Sequence, residues 1–329
     1  IWRCPEGHVH AIGSFDELEQ RAGVRLEDAH RPYVDEVTFP CGDCGREMRR
    51  VPEVIDVWFD SGAMPFAQWH APHENLEHFR ERFPADYVCE ALDQTRGWFY
   101  SLLAIATLLF DQSPYKNVVC LGLILDADGQ KMSKSKGNVV VPDEVLDRFG
   151  ADALRWYFFT SKQPWDGYRF SLETIAESVR QFLLQLWNTY GFYVMYANAN
   201  GMAPSRLPDP LASTDDLDRW VLSRLGATVE TVAERMDDYD ATSAGRAIQA
   251  FVDDLSNWYV RRSRRRFWDG DPAAFATLRH ALVTVAQLLA PFTPFVVDEI
   301  YRNLVPDGEV SVHLTDFPAA PPRDERLER

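Results

Sequence analysis

A lysine-rich loop between a strand-like run and a helix-like run is the feature that most constrains this chain. The loop reads KMSKS at 131–135 and leads into KGN at 136–138. Upstream, residues 117–125 read NVVCLGLIL, which is typical of a strand buried on both faces. Downstream, Pro142 and the acids after it suit the first turn of a helix. Because open parallel sheets bind ligands at the carboxyl ends of their strands, this order predicts an α/β domain with a binding loop at the sheet edge.

The chemistry of the loop favours a polyphosphate ligand. Lysine ammonium groups act as point charges that can follow moving phosphate oxygens. Lys131 and Lys134 are therefore the candidate catalytic cations. The candidate polyphosphate-binding residues are Lys131, Met132, Ser133, Lys134 and Ser135, which the family resemblance described below makes the ATP-binding loop. The alternative is a solvated surface loop that binds nothing.

A second group of polar residues lies earlier, where residues 87–99 read YVCEALDQTRGWF. This segment predicts a short strand, a polar turn that crowds Glu90, Asp93 and Gln94, and the start of a helix. The carboxylates could hold a substrate ammonium group or ribose hydroxyls. The alternative is that Asp93 merely caps the helix. That helix continues as an apolar run to residue 110, which predicts that it is buried all round.

Several longer segments resemble the isoleucyl-tRNA synthetases, a class I aminoacyl-tRNA synthetase family. They are DVWFDSGAMPFAQW, EALDQTRGWFYSLL, the KMSKS loop, GADALRWYF, LWNTYGFYVMYAN, DLSNWYVRRSRRRFW and LAPFTPFVVDEIY. The resemblance implies ATP- and Mg²⁺-dependent activation of isoleucine to isoleucyl-adenylate, followed by transfer to tRNA(Ile). Valyl-tRNA synthetases share the architecture and the lysine loop, so a valyl-type ligase is an alternative.

The resemblance also implies roles for individual residues. Trp58 and Trp98 match the two indoles that line the isoleucine side-chain pocket. Lys131 and Lys134 match the lysines that neutralise the triphosphate. The residues that match the isoleucyl-adenylate site are Glu90, Asp93, Gln94, Gly97 and Trp98.

The chain lacks a second phosphate-binding signature of the family, His-x-Gly-His. His10-Ala11-Ile12-Gly13 resembles it only superficially, because no histidine follows Gly13. The chain also begins at Ile1 rather than at methionine. We therefore expect a C-terminal fragment that is inactive alone, whose partner is the missing N-terminal half and whose editing domain is also missing. The alternative is a standalone tRNA-binding module with a vestigial nucleotide site.

A cysteine knuckle predicts a zinc site near the amino terminus. Cys41 and Cys44 are two thiols in a Cys-x-x-Cys arrangement, and Cys4 precedes His8 and His10. A structural Zn²⁺ needs four nitrogen or sulfur ligands. We expect Cys4, His8, Cys41 and Cys44 to bind it, with His10 as an alternative to His8. The other possibility is a degenerate knuckle that has lost its metal.

The chain divides into four predicted regions. Residues 1–52 form a zinc-ribbon-like module, and residues 53–165 form the second half of a Rossmann-like parallel sheet. Residues 166–317 show amphipathic helical periodicity and predict a helix bundle, which the resemblance identifies as an anticodon-binding domain. Residues 318–329 predict a flexible tail, since they are rich in proline and charge. The fold class is thus α/β plus all-α.

The strongest basic cluster falls at 261–266, beside aromatic residues. Arg261, Arg264 and Arg265 are candidate tRNA-binding residues, because arginine binds phosphate and aromatic rings stack on unpaired bases. The alternative is a helix end whose arginines pair with Asp253, Asp254 and Asp269.

Composition sets only broad limits. The net charge of −16 over 329 residues argues against general nucleic-acid binding, so tRNA would need a local basic surface. No apolar run of about 18 residues suggests a membrane span. Five cysteines, an odd number that includes a knuckle, fit a reducing compartment, and we expect a cytoplasmic monomer.

Overall fold

The computed structural model describes residues 1–53, 56–132, 137–139 and 141–328. The chain divides into two compact units. The first contains residues 1–86 and 93–116, and the second contains residues 87–92 and 117–329.

The first unit begins with a small module built on a four-stranded antiparallel sheet. Its elements are β1 (Trp2–Arg3), β2 (Val9–His10), α1 (Phe15–Ala22), β3 (Phe39–Pro40) and β4 (Glu47–Arg50). The strand order is β2-β1-β4-β3, and Trp2 pairs with His10 on one side and with Arg50 on the other. Ser14 caps α1 by accepting from the Glu17 N–H. A compact apolar cluster that includes Leu18 and Met48 fills the module.

The rest of the first unit is mainly helical. It contains α2 (Val57–Gly62), α3 (Met64–Ala67), α4 (Leu76–Arg82), the start of β5 (Ala85–Ala91), α5 (Trp98–Phe110) and the start of β6 (Tyr115–Leu121). Helices α2 and α5 cross closely at Gly62, because a Cβ there would lie 2.8 Å from both the Ser101 backbone and Ile105 Cδ1.

The prediction that α5 is buried all round is wrong. Leu102 and Ala106 are buried, whereas Leu108 is 85% exposed and Leu109 is 57% exposed. The apolar composition of a helix shows that its side chains favour burial. Whether they are buried depends on which other elements are present to cover each face.

The predicted single strand over 117–125 is also only partly correct. Strand β6 ends at Leu121, and Ile124–Leu125 forms a separate short strand, β7. A Cβ at the intervening Gly122 would lie 2.5 Å from the Asp166 carbonyl oxygen, so the chain turns there against residues 165–166. None of the residues of β6 is buried, and its sheet contains only β5 beside it among the described residues.

The second unit contains a small parallel strand pair and a large helical region. After β7 come α6 (Pro142–Phe149), α7 (Ala151–Thr160), β8 (Tyr168–Arg169), α8 (Leu172–Ser178) and α9 (Leu184–Ala199). Strands β7 and β8 are parallel, with Ile124 opposite Tyr168. The bundle helices are α10 (Asp216–Asp237), α11 (Ala241–Asp253), α12 (Arg261–Trp268), α13 (Pro272–Leu289) and α14 (Pro294–Leu304).

The helical prediction for the second half of the chain is confirmed. The amphipathic periodicity predicted over 166–317 falls on helices that include α10, α11 with the π-helix Asp254–Val260 that follows it, and α13. Their apolar faces form one continuous core that includes Leu225, Phe251 and Leu282. Among the described helices, none is both long and apolar enough to cross a membrane.

The described part of the carboxyl-terminal segment, predicted as a flexible tail, packs on α10. Asp324 accepts from Arg219 at 2.9 Å, and Glu328 accepts from Ser223 at 2.5 Å. The Pro321 carbonyl oxygen lies in contact range of Gly226. The two hydrogen bonds join polar side chains, and the contact at Gly226 involves the backbone. The apolar pattern of the sequence could not reveal either kind of interaction.

Candidate functional site

The polar turn before α5 forms a tight corner around Gln94. Its Oε1 accepts from the Trp98 N–H at 2.9 Å, and its Nε2 donates to Asp93 Oδ2 at 3.2 Å. Gln94, rather than Asp93, therefore satisfies the first N–H of α5, and the alternative role of Asp93 as the helix cap is not observed. Asp93 is exposed, which leaves its carboxylate accessible to a ligand.

Gly97 brings an indole against this corner. A Cβ at Gly97 would lie 2.5 Å from Gln94 Oε1 and 3.1 Å from Trp58 Cη2. Only glycine therefore allows Trp58 and the Gln94 amide to approach the backbone so closely. Trp58 lies in the first turn of α2, where its N–H donates to Asp56 Oδ1 at 2.8 Å, and its side chain is 45% exposed.

The second indole is fixed by a residue that the sequence did not single out. Trp98 Nε1 donates to the Ser61 carbonyl oxygen at 3.2 Å, which ties α5 to α2. The structure thus brings together Trp58, Asp93, Gln94, Gly97 and Trp98. Glu90 is exposed near the end of β5, in the second unit. A backbone acceptor such as that of Ser61 leaves no mark in the sequence.

The residues before and after the lysine loop are held by Asp126 and Asn138. Asp126 Oδ1 accepts from the Gln130 N–H at 2.7 Å, and Oδ2 accepts from Asn138 Nδ2 at 2.7 Å. Asn138 Nδ2 also donates to the Lys131 carbonyl oxygen at 3.3 Å. Met132 packs against the apolar cluster around α6–α8. Ser133, Lys134 and Ser135 lie outside the described residues.

Four side chains of the amino-terminal module converge as zinc ligands would. The sulfur and nitrogen atoms of Cys4, His8, Cys41 and Cys44 all lie within 4.8 Å of one another. Cys44 Sγ is 3.7 Å from Cys4 Sγ, and His8 Nδ1 is 3.5 Å from Cys4 Sγ and 3.6 Å from Cys41 Sγ. Tetrahedral Zn²⁺ with ordinary bond lengths requires about 3.8 Å between two sulfurs and about 3.6 Å between sulfur and nitrogen. The donor set therefore fits zinc.

The alternative ligand His10 has another partner. Its Nε2 lies 2.9 Å from Glu17 Oε1, and this side chain does not join the cluster. The Gly13 N–H, then His10 and Arg21, hold the pKa of Glu17 down at about 2. In the cluster itself, backbone N–H groups of Asp43 and Cys44 donate to Cys41 and lower the pKa of its thiol.

Comparisons with known proteins identify the family. Residues 2–167 match the family model for tRNA synthetases class I (I, L, M and V), and residues 218–329 match that for the anticodon-binding domain of tRNA ligase. The chain belongs to the class I tRNA synthetases. It combines a fragment of the catalytic region, with a small parallel sheet, and an anticodon-binding domain rich in helices.

Individual relatives of this class I synthetase chain extend well beyond it. The isoleucine–tRNA ligase of Deinococcus radiodurans is 52% identical over 342 residues, which cover 100% of this chain and 31% of the relative. That of Dehalococcoides mccartyi strain ATCC BAA-2266 is 53% identical and covers 97% of this chain and 33% of the relative. The chain thus spans about a third of the length of the curated relatives it matches.

A solved synthetase structure has a similar fold. The ternary complex of Agrobacterium radiobacter K84 agnB2 LeuRS with tRNA and LeuAMS matches with a TM-score of 0.70 at 20% identity. The match covers 89% of this chain and 36% of that one.

In the helical region of this synthetase chain, the arginine cluster (residues 261, 262 and 264–266) divides between two faces of α12. Arg261, Arg264 and Arg265 are exposed, and Arg265 pairs weakly with Asp269 at 3.5 Å. Among the described residues, no carboxylate lies within ion-pairing distance of Arg261 or Arg264. The fourth exposed member, Arg262, stacks over Trp258 at 3.9 Å from the ring centroid.

Arg266 points inward and joins a buried ion pair. Its Nη1 and Nη2 donate to the fully buried Asp218 carboxylate at 2.7 and 2.8 Å, and its Nε donates to Asp271 at 2.7 Å. Tyr259 also donates to Asp218 at 2.7 Å. Burial would raise the pKa of Asp218, but hydrogen bonds from Arg266, Ser213 and Tyr259 outweigh it and hold the pKa below its usual value.

The predicted partners Asp253 and Asp254 bind elsewhere. Asp254 accepts from Arg224, and Asp253 accepts from Gln185 and Asn257. The structural alternative therefore describes Arg266, which joins a buried ion pair, and weakly describes Arg265. It does not describe the whole cluster. Helical geometry explains the division, since adjacent residues of a helix point about 100° apart.

Proposed function

We propose that this chain is part of an isoleucine–tRNA ligase that activates isoleucine with ATP and transfers it to tRNA(Ile). The observation that carries the proposal is the corner of Trp58, Gln94, Gly97 and Trp98. It is assembled in a chain that is 52% identical to an isoleucine–tRNA ligase over its whole length.

The two indoles would form flat, rigid walls for a branched aliphatic side chain. Burial of each methylene contributes about 0.8 kcal/mol, so the pocket favours isoleucine over smaller side chains. One methylene gives only about 10–200-fold discrimination against valine. A separate hydrolytic site outside this chain would therefore have to remove misactivated valine. The exposed carboxylates of Glu90 and Asp93 would bind the substrate ammonium group or ribose hydroxyls.

The lysine loop would supply positive charge to the reacting triphosphate. The isoleucine carboxylate attacks the α-phosphorus of ATP, the bond to the β-phosphate oxygen breaks, and pyrophosphate leaves with its Mg²⁺. Lys131 and Lys134 neutralise the charge that develops on the phosphate oxygens. Met132, Ser133 and Ser135 complete the proposed ATP-binding loop. The hydrogen bonds of Asp126 and Asn138 fix the residues on both sides of it.

The adenylate then reacts with the terminal ribose of tRNA, and AMP leaves. We propose that Arg261, Arg264 and Arg265 bind the tRNA backbone, since these three guanidinium groups are exposed on α12. Zinc held by Cys4, His8, Cys41 and Cys44 would be structural, because four protein ligands leave no open position for substrate. We propose that the predicted regions 1–52, 53–165 and 166–317 are the zinc module, the catalytic part and the anticodon-binding part.

The partner of this chain would be the remaining two thirds of the synthetase. The exposed apolar face of α5, with Leu108 and Leu109, is a surface that another part of the enzyme would cover. The complete enzyme would act as a cytoplasmic monomer, which agrees with the five unpaired cysteines.

The test is binding of a non-hydrolysable isoleucyl-adenylate analogue, with and without the N-terminal part supplied in trans. We expect tight binding and isoleucine-dependent pyrophosphate exchange only when both parts are present. Trp98→Ala should abolish both, whereas Trp165→Ala, which removes an exposed indole from the second unit, should change neither.

Three results would contradict the proposal. Near-normal pyrophosphate exchange by the chain alone would show that its active site is complete without the other part. Preference for the valyl over the isoleucyl analogue would indicate a valyl-type ligase. Binding of tRNA without any analogue binding, even with both parts present, would support a tRNA-binding module.

A further inference from the structure

A cavity lies on one face of the β5–β6 pair, entirely within the second unit. Its volume is about 440 Å³. Tyr87 and Cys89 line it from β5, and Val119 and Leu121 line it from β6. Because alternate residues of a strand point to the same side, these four side chains form one wall. The end of α7 and the start of α11, with Ala241, form the opposite wall.

The lining chemistry is apolar and largely aromatic. Among the described residues that line the cavity, none carries a formal charge. Two of its hydroxyl groups donate to backbone carbonyl oxygens. Tyr168 donates to the Phe158 carbonyl oxygen at 3.1 Å, and Thr242 donates to the Lys162 carbonyl oxygen at 2.9 Å. A charged ligand would lose its hydration here without compensation, so the cavity selects against charge.

The polar groups of one wall are the Tyr87 hydroxyl and the Cys89 thiol. Burial first, and then the neighbouring Cys89, raise the pKa of Tyr87, so its phenol stays neutral. Tyr87 also stacks on Tyr239, with ring centroids 4.8 Å apart, and both rings are partly exposed. This tyrosine pair forms a rim against which a planar ligand could pack.

We propose that this cavity binds a compact, uncharged ligand that is mostly aromatic or branched aliphatic and carries at most one hydrogen-bonding group. Its volume and apolar lining, with few polar groups on one side, are those of small-molecule sites in proteins. None of the residues assigned above to isoleucine, ATP, tRNA or zinc lines it. The site is therefore independent of the proposed ligase function, and its test does not depend on ligase activity.

The test uses N-phenyl-1-naphthylamine, an uncharged aromatic probe whose fluorescence rises in apolar surroundings. We expect saturable binding of one probe per chain. Ala241→Phe, at the first residue of α11, should fill the cavity and weaken binding by about tenfold or more. Ala273→Phe is the matched control, because Ala273 is a half-buried residue in the first turn of α13 that does not line the cavity. It should leave binding unchanged.

A second filling variant keeps the test decisive if Ala241→Phe does not fold, as judged by circular dichroism. Val119→Phe fills the same space from β6, where an aromatic residue suits a strand. Equal affinity of the probe for the unaltered chain and a folded filling variant would overturn the proposal. So would loss of probe binding when the chain is extended to the length of its relatives, because polypeptide would then occupy the cavity.

Discussion

The amino-terminal module and the helix bundle reach a defined structure by different means. In the module, three of the four strands have only two residues, and its buried apolar cluster is small. In the bundle, helices of up to 22 residues share one large apolar core. Short strands cannot supply much burial, so we expect the module to depend on a metal held by its four convergent side chains. The bundle needs no such cross-link, and its one deeply buried ion pair, among the residues that the structure describes, serves to fix α10 against α12 and α13.

Removal of zinc should have the largest effect and should be confined to the module. Structural zinc binding contributes on the order of 10 kcal/mol to folding of small zinc domains. Cys41→Ser or chelation should therefore unfold residues 1–50 and leave the bundle folded, as followed by amide hydrogen exchange in each region. Cys120→Ser is the control, because Cys120 is a free thiol outside the cluster. If the purified protein contained less than about a tenth of an equivalent of zinc, the module would not depend on bound metal. The comparison between the module and the bundle would then fail.

Loss of the buried carboxylate should destabilise the bundle but not the module. Asp218→Ala leaves the Arg266 guanidinium without its main partner, and breaking a buried pair costs about 3–5 kcal/mol. Urea unfolding followed by helical circular dichroism measures this change. Asp216→Ala is the control, since Asp216 is 85% exposed and its pair with Arg219 should contribute about 0–1 kcal/mol. Equal effects of the two substitutions would show that burial of the pair is unimportant.

Acid should weaken the bundle through the same carboxylate. The pKa of Asp218 is lower in the folded chain than its usual value, despite burial, because of its bonds to Arg266, Ser213 and Tyr259. Its contribution to stability is therefore complete above the unfolded pKa of about 3.9 and is lost as the pH falls through the folded pKa. The urea midpoint of the bundle should fall in this acidic range, and Asp218→Asn should flatten the fall. If the urea midpoint of Asp218→Asn fell with pH as it does in the unaltered chain, Asp218 would not be the source of the acid sensitivity.

The smallest effect concerns the exposed face of α12. Arg264→Ala with Arg265→Ala should weaken tRNA binding and reduce the slope of log affinity against log salt by about 0.7–0.9 for each phosphate that is no longer neutralised. Bundle stability should change little, since both side chains are exposed. Arg206→Ala with Arg302→Ala removes two exposed arginines outside the cluster and should leave the slope unaltered. If the two double variants showed the same tRNA affinity and the same salt slope, the exposed arginines of α12 would have no role in tRNA binding.

The sequence predicted best where a side chain acts through its own chemistry. The helices of the bundle followed from apolar periodicity, and the convergence of Cys4, His8, Cys41 and Cys44 followed from thiol and imidazole spacing. The sequence predicted less well where the backbone conformation determines which contact forms. Asp93 and Gln94 are both possible acceptors for the Trp98 N–H, and only the conformation of the turn selects Gln94. The exposure of Leu108 depends on what covers α5, which a helical pattern cannot report.

The close approach of Gly226 to the Pro321 carbonyl oxygen restricts how this sequence can change over evolutionary time. Any side chain at position 226 would collide with the backbone of the tail, whatever residue occupies position 321. A compensating mutation at 321 would not relieve that collision, because every residue carries a carbonyl oxygen. Only a rearranged or shortened tail could accompany the loss of this glycine. Exchange of α10 between diverged relatives should therefore succeed only when the tail is exchanged with it.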